Sequence, residues 1–169
     1  MNSFNLGSHV KYIAVLVLLV MAQQFVVPFI TIKEAGPQFP VLLVAFIALG
    51  YGQIQSTVYG FVAGLLGDVL AMETIGIGAL ALTLAGFAAG YFFDQERTDE
   101  PLGSSRYVVT VIVTAMMYYL LYIFTYFRSL NENVAELILR IGLGGAVYTA
   151  VIGIVVALIA SRTGSRIKV

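Results

Sequence analysis

Gly60-Phe61-Val62-Ala63-Gly64-Leu65-Leu66-Gly67-Asp68-Val69-Leu70 carries a single charge, and its first two glycines stand four residues apart. A carboxylate in hydrocarbon costs about 2.5–3.5 kcal/mol even on the lenient insertion scale, so Asp68 is expected to face protein or water, or to lie near a membrane boundary. Gly60 and Gly64 share one helix face, which admits another backbone closely. The stretch is read as a membrane helix with one packing face and one costly polar group.

The composition around it agrees. Apolar residues make up 60% of the 169 and charged ones 11%, where a soluble domain carries about 25% charged. The mean hydropathy is +0.95. These values define an integral membrane protein, read as one domain over residues 1–169, with no stretch long enough for a separate soluble enzyme domain. Nine basic and nine acidic residues cancel, which leaves no broad basic surface for nucleic acid and no polybasic tail for anionic lipid. The chain has no cysteine, so disulfides, thiolate metal sites and thiol chemistry are excluded.

Six apolar runs follow one another: Val10–Ile32, Phe39–Tyr51, Ile54–Met72, Ile75–Phe93, Tyr107–Phe127 and Leu137–Ala160. The first is too long for the core of a cleaved signal peptide and lacks a small-x-small cleavage site, so it is read as a retained span. The second is 13 residues long and reaches about 20 Å against a hydrocarbon thickness of about 30 Å. A short or re-entrant helix is expected there, opened by Pro40, broken at Gly50-Tyr51-Gly52-Gln53, and forming a hairpin of two short helices. The expected fold class is all-α, a polytopic bundle of about six transmembrane helices.

Six passes place both termini on one side. Lys11, Arg97, Arg106, Arg162, Arg166 and Lys168 then face the cytoplasm, and Lys33, Arg128 and Arg140 face outward. Six against three satisfies the positive-inside rule. The polar stretch from Asp94 to Arg106 becomes a cytoplasmic connector.

Asp68 lies near the outer end of its run, where it would reach water or cap the helix that begins near Ile75. No second intramembrane carboxylate accompanies it, which weakens a proton-relay reading, and His9 precedes the first span. Gly86 and Gly90 repeat the spacing of Gly60 and Gly64, and both pairs suit internal helix packing or a second protein's helix. Gly145, Thr149 and Gly153 continue that pattern in the last run. Thr110, Thr114, Tyr118, Tyr122 and Tyr126 recur every four residues, a hydroxyl stripe for helix packing or a cavity wall, with Phe124, Tyr126 and Phe127 beside Arg128 as an aromatic belt. Neither a nucleophile elbow, a zinc-protease motif nor a phosphate loop occurs, so no enzyme, cofactor or metal site is expected.

Gly60-x-x-x-Gly64-Leu65-Leu66-Gly67-Asp68, followed by Glu73-Thr74-Ile75-Gly76-Ile77-Gly78-Ala79-Leu80-Ala81-Leu82, resembles the MreD family of bacterial rod shape-determining membrane proteins. Pro40 matches the proline that commonly opens that family's second segment, although the Arg preceding it and the tryptophans of some members are missing here. The resemblance implies a non-catalytic scaffold of the cell-wall elongation machinery in the bacterial cytoplasmic membrane. It implies binding to the single-span MreC, and through it to MreB, RodA and a penicillin-binding transpeptidase, with lipid around the bundle. Gly60, Gly64, Gly67, Asp68, Gly86 and Gly90 are the expected partner-binding positions.

The competing expectation is a substrate-binding subunit of a vitamin-type transporter, similar to the energy-coupling-factor components, whose fold the MreD family is thought to resemble. Those components commonly dock through an Ala-x-x-x-Ala face on their first helix, whereas here Ala14 and Ala22 are eight apart with Leu18 between them. A buried polar cavity facing outward, with Asp68 and the tyrosine stripe in its wall, would favour transport.

Overall fold

The computed structural model describes residues 6–32, 35–72, 74–94, 104–126 and 138–163. Seven α-helices fill them: α1 Leu6–Phe25, α2 Val27–Ile30, α3 Phe39–Tyr51, α4 Gln53–Ala71, α5 Ile77–Ala89, α6 Ser105–Tyr126 and α7 Gly144–Thr163. A 3₁₀ turn, Gly90–Phe92, extends α5, and a π-helical turn, Ile138–Leu143, leads into α7. No strand occurs among the described residues; Ile32 and Ala35 form one isolated bridge. The aromatic belt at Phe127 and Arg128 falls outside the described residues, as does most of the polar connector before Arg106. So do six of the nine basic side chains used for orientation: Lys33, Arg97, Arg128, Arg140, Arg166 and Lys168.

Three helical stretches are long and apolar enough to cross a membrane, Gln53–Ala71, Ser105–Thr125 and Ile141–Arg162, and three shorter apolar ones accompany them. The result is a helical membrane bundle. Its outer surface carries side chains such as Leu18, Phe124, Val147 and Leu158, while Ser56, Thr110, Thr114 and Thr149 are buried. Small and hydroxylated residues inside with bulky apolar ones outside suit a lipid solvent, where helices associate by close contact and hydrogen bonds.

α3 has the bounds expected from Pro40 and Gly52. Pro40 occupies the first turn, where its missing N–H breaks no bond, and Gly52 ends the helix at φ +87°. Its position is the surprise. Ten of its 13 residues are buried, from Pro40 to Gly50, and it touches α1, α4, α5, α6 and α7. It is the central post of the bundle, as suits a helix apolar on every side. It is the short helix that was expected, and it runs alongside α1: Phe39 lies beside Gln23 late in α1, and Tyr51 lies beside Tyr12 near the start of α1. It does not pair with a second short helix, because α4 continues for 19 residues.

Two expected runs are shorter than read. Val10–Ile32 breaks at Val26, because Pro28 offers no N–H to Gln24 and its ring crowds that carbonyl, leaving α2 as a separate turn. Ile75–Phe93 starts as a helix only at Ile77, because Gly76 sits at φ +107°. The start of α1 and the end of α7 share one end of the bundle. The opposite end gathers the close of α1, the start of α3, the close of α4, the start of α5 and the second half of α6.

Candidate functional site

At that opposite end α4 stops on Met72, which takes the left-handed conformation at φ 54°, and Gly76 redirects the chain into α5. The turn brings the unpaired amides of the α5 N-terminus over the last turn of α4. Asp68, 5% exposed, receives them: Gly76 and Ala79 donate to Oδ2 at 2.8 and 3.1 Å, and Gly78 donates to Oδ1 at 3.1 Å. One carboxylate from a neighbouring helix thus satisfies three of the orphan donors of a helix start, where the helix dipole also favours negative charge. The cap expected from Asp68 is present, and it comes from across the hairpin. Gly78 makes it fit, because a Cβ there would collide with Oδ1.

The two glycine pairs face each other across the same hairpin. A Cβ on Gly64 would lie 2.5 Å from the Ala79 Cα, and one on Gly60 would strike the Leu82 carbonyl. From α5, a Cβ on Gly86 would lie 2.5 Å from the Ser56 carbonyl oxygen, and one on Gly90 would strike Gln53. Ser56 Oγ donates to the Gly86 carbonyl at 2.8 Å, and Gln53 Nε2 donates to the Phe87 carbonyl at 3.1 Å. Four of the expected partner-binding glycines therefore meet α4 or α5 of this chain, and their open face is already filled. Gly67 differs: no atom lies within 4 Å of where its Cβ would stand. Gly145 and Gly153 abut Tyr119 and Val111, which seats α7 against α6.

Gly67 and Asp68 border a cavity of about 300 Å³. Its other walls are the end of α1, the segment before α3 and the second half of α6, with Gln23, Gln24, Gln38, Tyr118 and Tyr122 among its lining. Hydrogen bonds hold these walls. Gln23 donates to the Pro37 carbonyl and accepts from the Phe39 amide, each at 2.9 Å, so one side chain pins the approach to α3. The Gln38 amide donates to Thr149 Oγ1 at 3.0 Å, and Tyr119 donates to the Gly36 carbonyl. Gln24 Nε2 donates to the Gly67 carbonyl at 3.2 Å, and Gln38 Nε2 donates to the Tyr118 hydroxyl. The remaining amide oxygen of that side chain, Gln38 Oε1, is buried without a hydrogen-bond partner.

The tyrosine stripe of α6 therefore divides. Thr110 and Thr114 are fully buried and bond back to the preceding helical turn, whereas Tyr118 and Tyr122 face the cavity. Gln23, Gln24 and Gln38 are the polar residues that the sequence reading passed over. Their signal was present, as three glutamines inside or beside apolar runs, because intramembrane polar groups face protein or cavities. No cluster of three metal-ligating side chains occurs among the described residues.

A family model described as rod shape-determining protein MreD matches residues 6–161. No curated protein and no solved structure matches the chain.

Proposed function

The chain belongs to the MreD family of rod shape-determining membrane proteins, and from that premise we propose that it is a non-catalytic scaffold of the cell-wall elongation complex. In this reading it sits in the bacterial cytoplasmic membrane with both termini inside. It binds MreC directly, and reaches MreB, RodA and a penicillin-binding transpeptidase through MreC. The observation that carries the reading is the family match along 156 of 169 residues, from the first helix into the last.

The bundle's physics supports it. Within the three membrane-length helices only 33–39% of each apolar window is buried, so wide apolar faces remain for lipid or a partner's helix. Gly60, Gly64, Gly86, Gly90 and Asp68 would then serve MreC binding through the shape of the α4–α5 hairpin. Depletion in a rod-shaped host tests the role. Rounding of the cells, reversed by the intact gene, is expected, together with recovery of MreC when the chain is purified in native lipid discs. Cells that stay rod-shaped through full depletion would sink the proposal.

One observation favours a second reading, a subunit that holds a small solute for uptake: the cavity has Asp68, Tyr118 and Tyr122 in its wall. Solute uptake that disappears on deletion while cell shape is kept would select it over the scaffold.

A further inference from the structure

The short central helix leaves part of the membrane's thickness to something else. Two neighbouring helices fix the level at which it begins. The Gln38 amide, just ahead of α3, meets Thr149, eight residues into the membrane-length stretch Ile141–Arg162, and the Gln38 side chain meets Tyr118, seven residues before the end of Ser105–Thr125. At 1.5 Å per residue, both place Gln38 about 10–12 Å inside the membrane. From there the 13 residues of α3 reach about 20 Å further, which completes a hydrocarbon core about 30 Å thick.

Gly36, Pro37 and Gln38 therefore run without helical structure at membrane depth, and all three line the cavity. Irregular backbone is tolerated at that depth where protein encloses it or where it borders water. The lining suits water. Gln23, Gln24 and Gln38 each engage one amide N–H, with Pro37, Gly67 and Tyr118, and keep a second, while the Asp68 carboxylate accepts three bonds where about four fit. Donors and acceptors thus stand side by side, and a molecule that is both serves them, whereas dry cavities are apolar ones. The volume of about 300 Å³ holds roughly ten waters at about 30 Å³ each, and the exposed Pro28 and Thr31 border it.

We propose that this cavity is an aqueous inlet: water from the side of the α4–α5 turn enters the bundle to a depth of about 10–12 Å, reaching the Asp68 carboxylate and the open space beside Gly67. The proposal is independent of the scaffold reading, because access is measured on the purified chain alone, whatever its partners.

The chain has no cysteine, so single cysteines report access without background. Gly67→Cys places a thiol in the cavity, and Thr31→Cys places one at its rim. Leu120→Cys and Val147→Cys place thiols on the exposed surface of the bundle, each two residues from Tyr118 or Thr149 and so at about the depth of Gly67. Each variant, as the full chain in lipid discs, is treated with 2-(trimethylammonio)ethyl methanethiosulfonate, whose fixed charge keeps it out of lipid. A thiol reacts as its thiolate, which needs water, so Gly67→Cys should react within about tenfold of the Thr31→Cys rate and roughly a hundredfold faster than Leu120→Cys and Val147→Cys. Ala71→Cys, which also lines the cavity, reports the same access if Gly67→Cys fails to fold. A cavity thiol as slow as the two surface thiols would overturn the proposal, because lipid or protein would then fill the space. Surface thiols as fast as the cavity thiol would overturn it as well, because that whole level of the bundle would then stand in water.

Discussion

Gly78 and Asp68 are a matched pair: the carboxylate takes the Gly78 amide at 3.1 Å and occupies the space that a side chain at position 78 would need. Gly78→Ala should therefore destabilise the protein by about 2 kcal/mol, as overpacking at a closed contact does. In an Asp68→Ala background the same change should cost almost nothing. A double-mutant cycle on thermal unfolding in detergent would give a coupling above about 1 kcal/mol. Additive losses would mean that the glycine is needed for something other than the carboxylate.

Asp68 itself works as an acceptor for three amides, so hydrogen-bonding capacity matters more than charge. Asp68→Asn retains one amide oxygen and is expected to lose about 1 kcal/mol, whereas Asp68→Leu strands all three donors and should lose about 3 kcal/mol or more. Equal losses in the two variants would point to the charge.

How far these relationships could be read beforehand depends on how local they are. Pro40 and Gly52 act on their own backbone, and α3 has the predicted bounds, Phe39–Tyr51. Asp68 stands eight residues before Gly76, close enough along the chain for the cap to be expected. The central position of α3 was hidden, because an apolar run of 13 residues reads alike whether it lies at the edge of a bundle or is enclosed by five helices. Gln38 meets Tyr118 across 80 residues and Thr149 across 111, so the cavity exists only once α1, α3, α6 and α7 are assembled. Pro28 was legible in principle, but the hydrophobicity of Val10–Ile32 concealed the break it makes.

Glycines that look alike in sequence separate in the structure. Gly64→Ala places a methyl 2.5 Å from the Ala79 Cα, backbone against backbone, and should cost about 1–3 kcal/mol. Gly67→Ala meets open space inside a helix and should be neutral or stabilising by up to about 1 kcal/mol, through the lower entropy of alanine in the unfolded chain. Parallel thermal melts decide the point, and a loss at Gly67 matching that at Gly64 would contradict the packing described.

If the hairpin's shape matters for partner binding, Gly64→Leu should reduce recovery of MreC on purification by pushing α4 away from α5. Gly67→Leu, whose side chain enters the cavity, should leave recovery near wild type. Quantitative co-purification at matched expression separates them. Unchanged recovery with Gly64→Leu would place the MreC contact on another part of the bundle.

Gln23 supplies the last prediction, because one side chain there fixes how the chain enters the central helix. Its two bonds, to the Pro37 carbonyl and from the Phe39 amide, serve backbone groups at a helix start that has no side-chain cap of its own. Gln23→Leu keeps the bulk and removes both bonds, leaving the Phe39 amide unpaired, at an expected cost of about 2 kcal/mol. The damage should be local as well as global. Amide exchange at Phe39 should accelerate at least tenfold, while the interior of α6 near Val111 stays protected. Protection at Phe39 that survives the substitution would show that Pro40 and the surrounding helices hold this end of α3 without the glutamine.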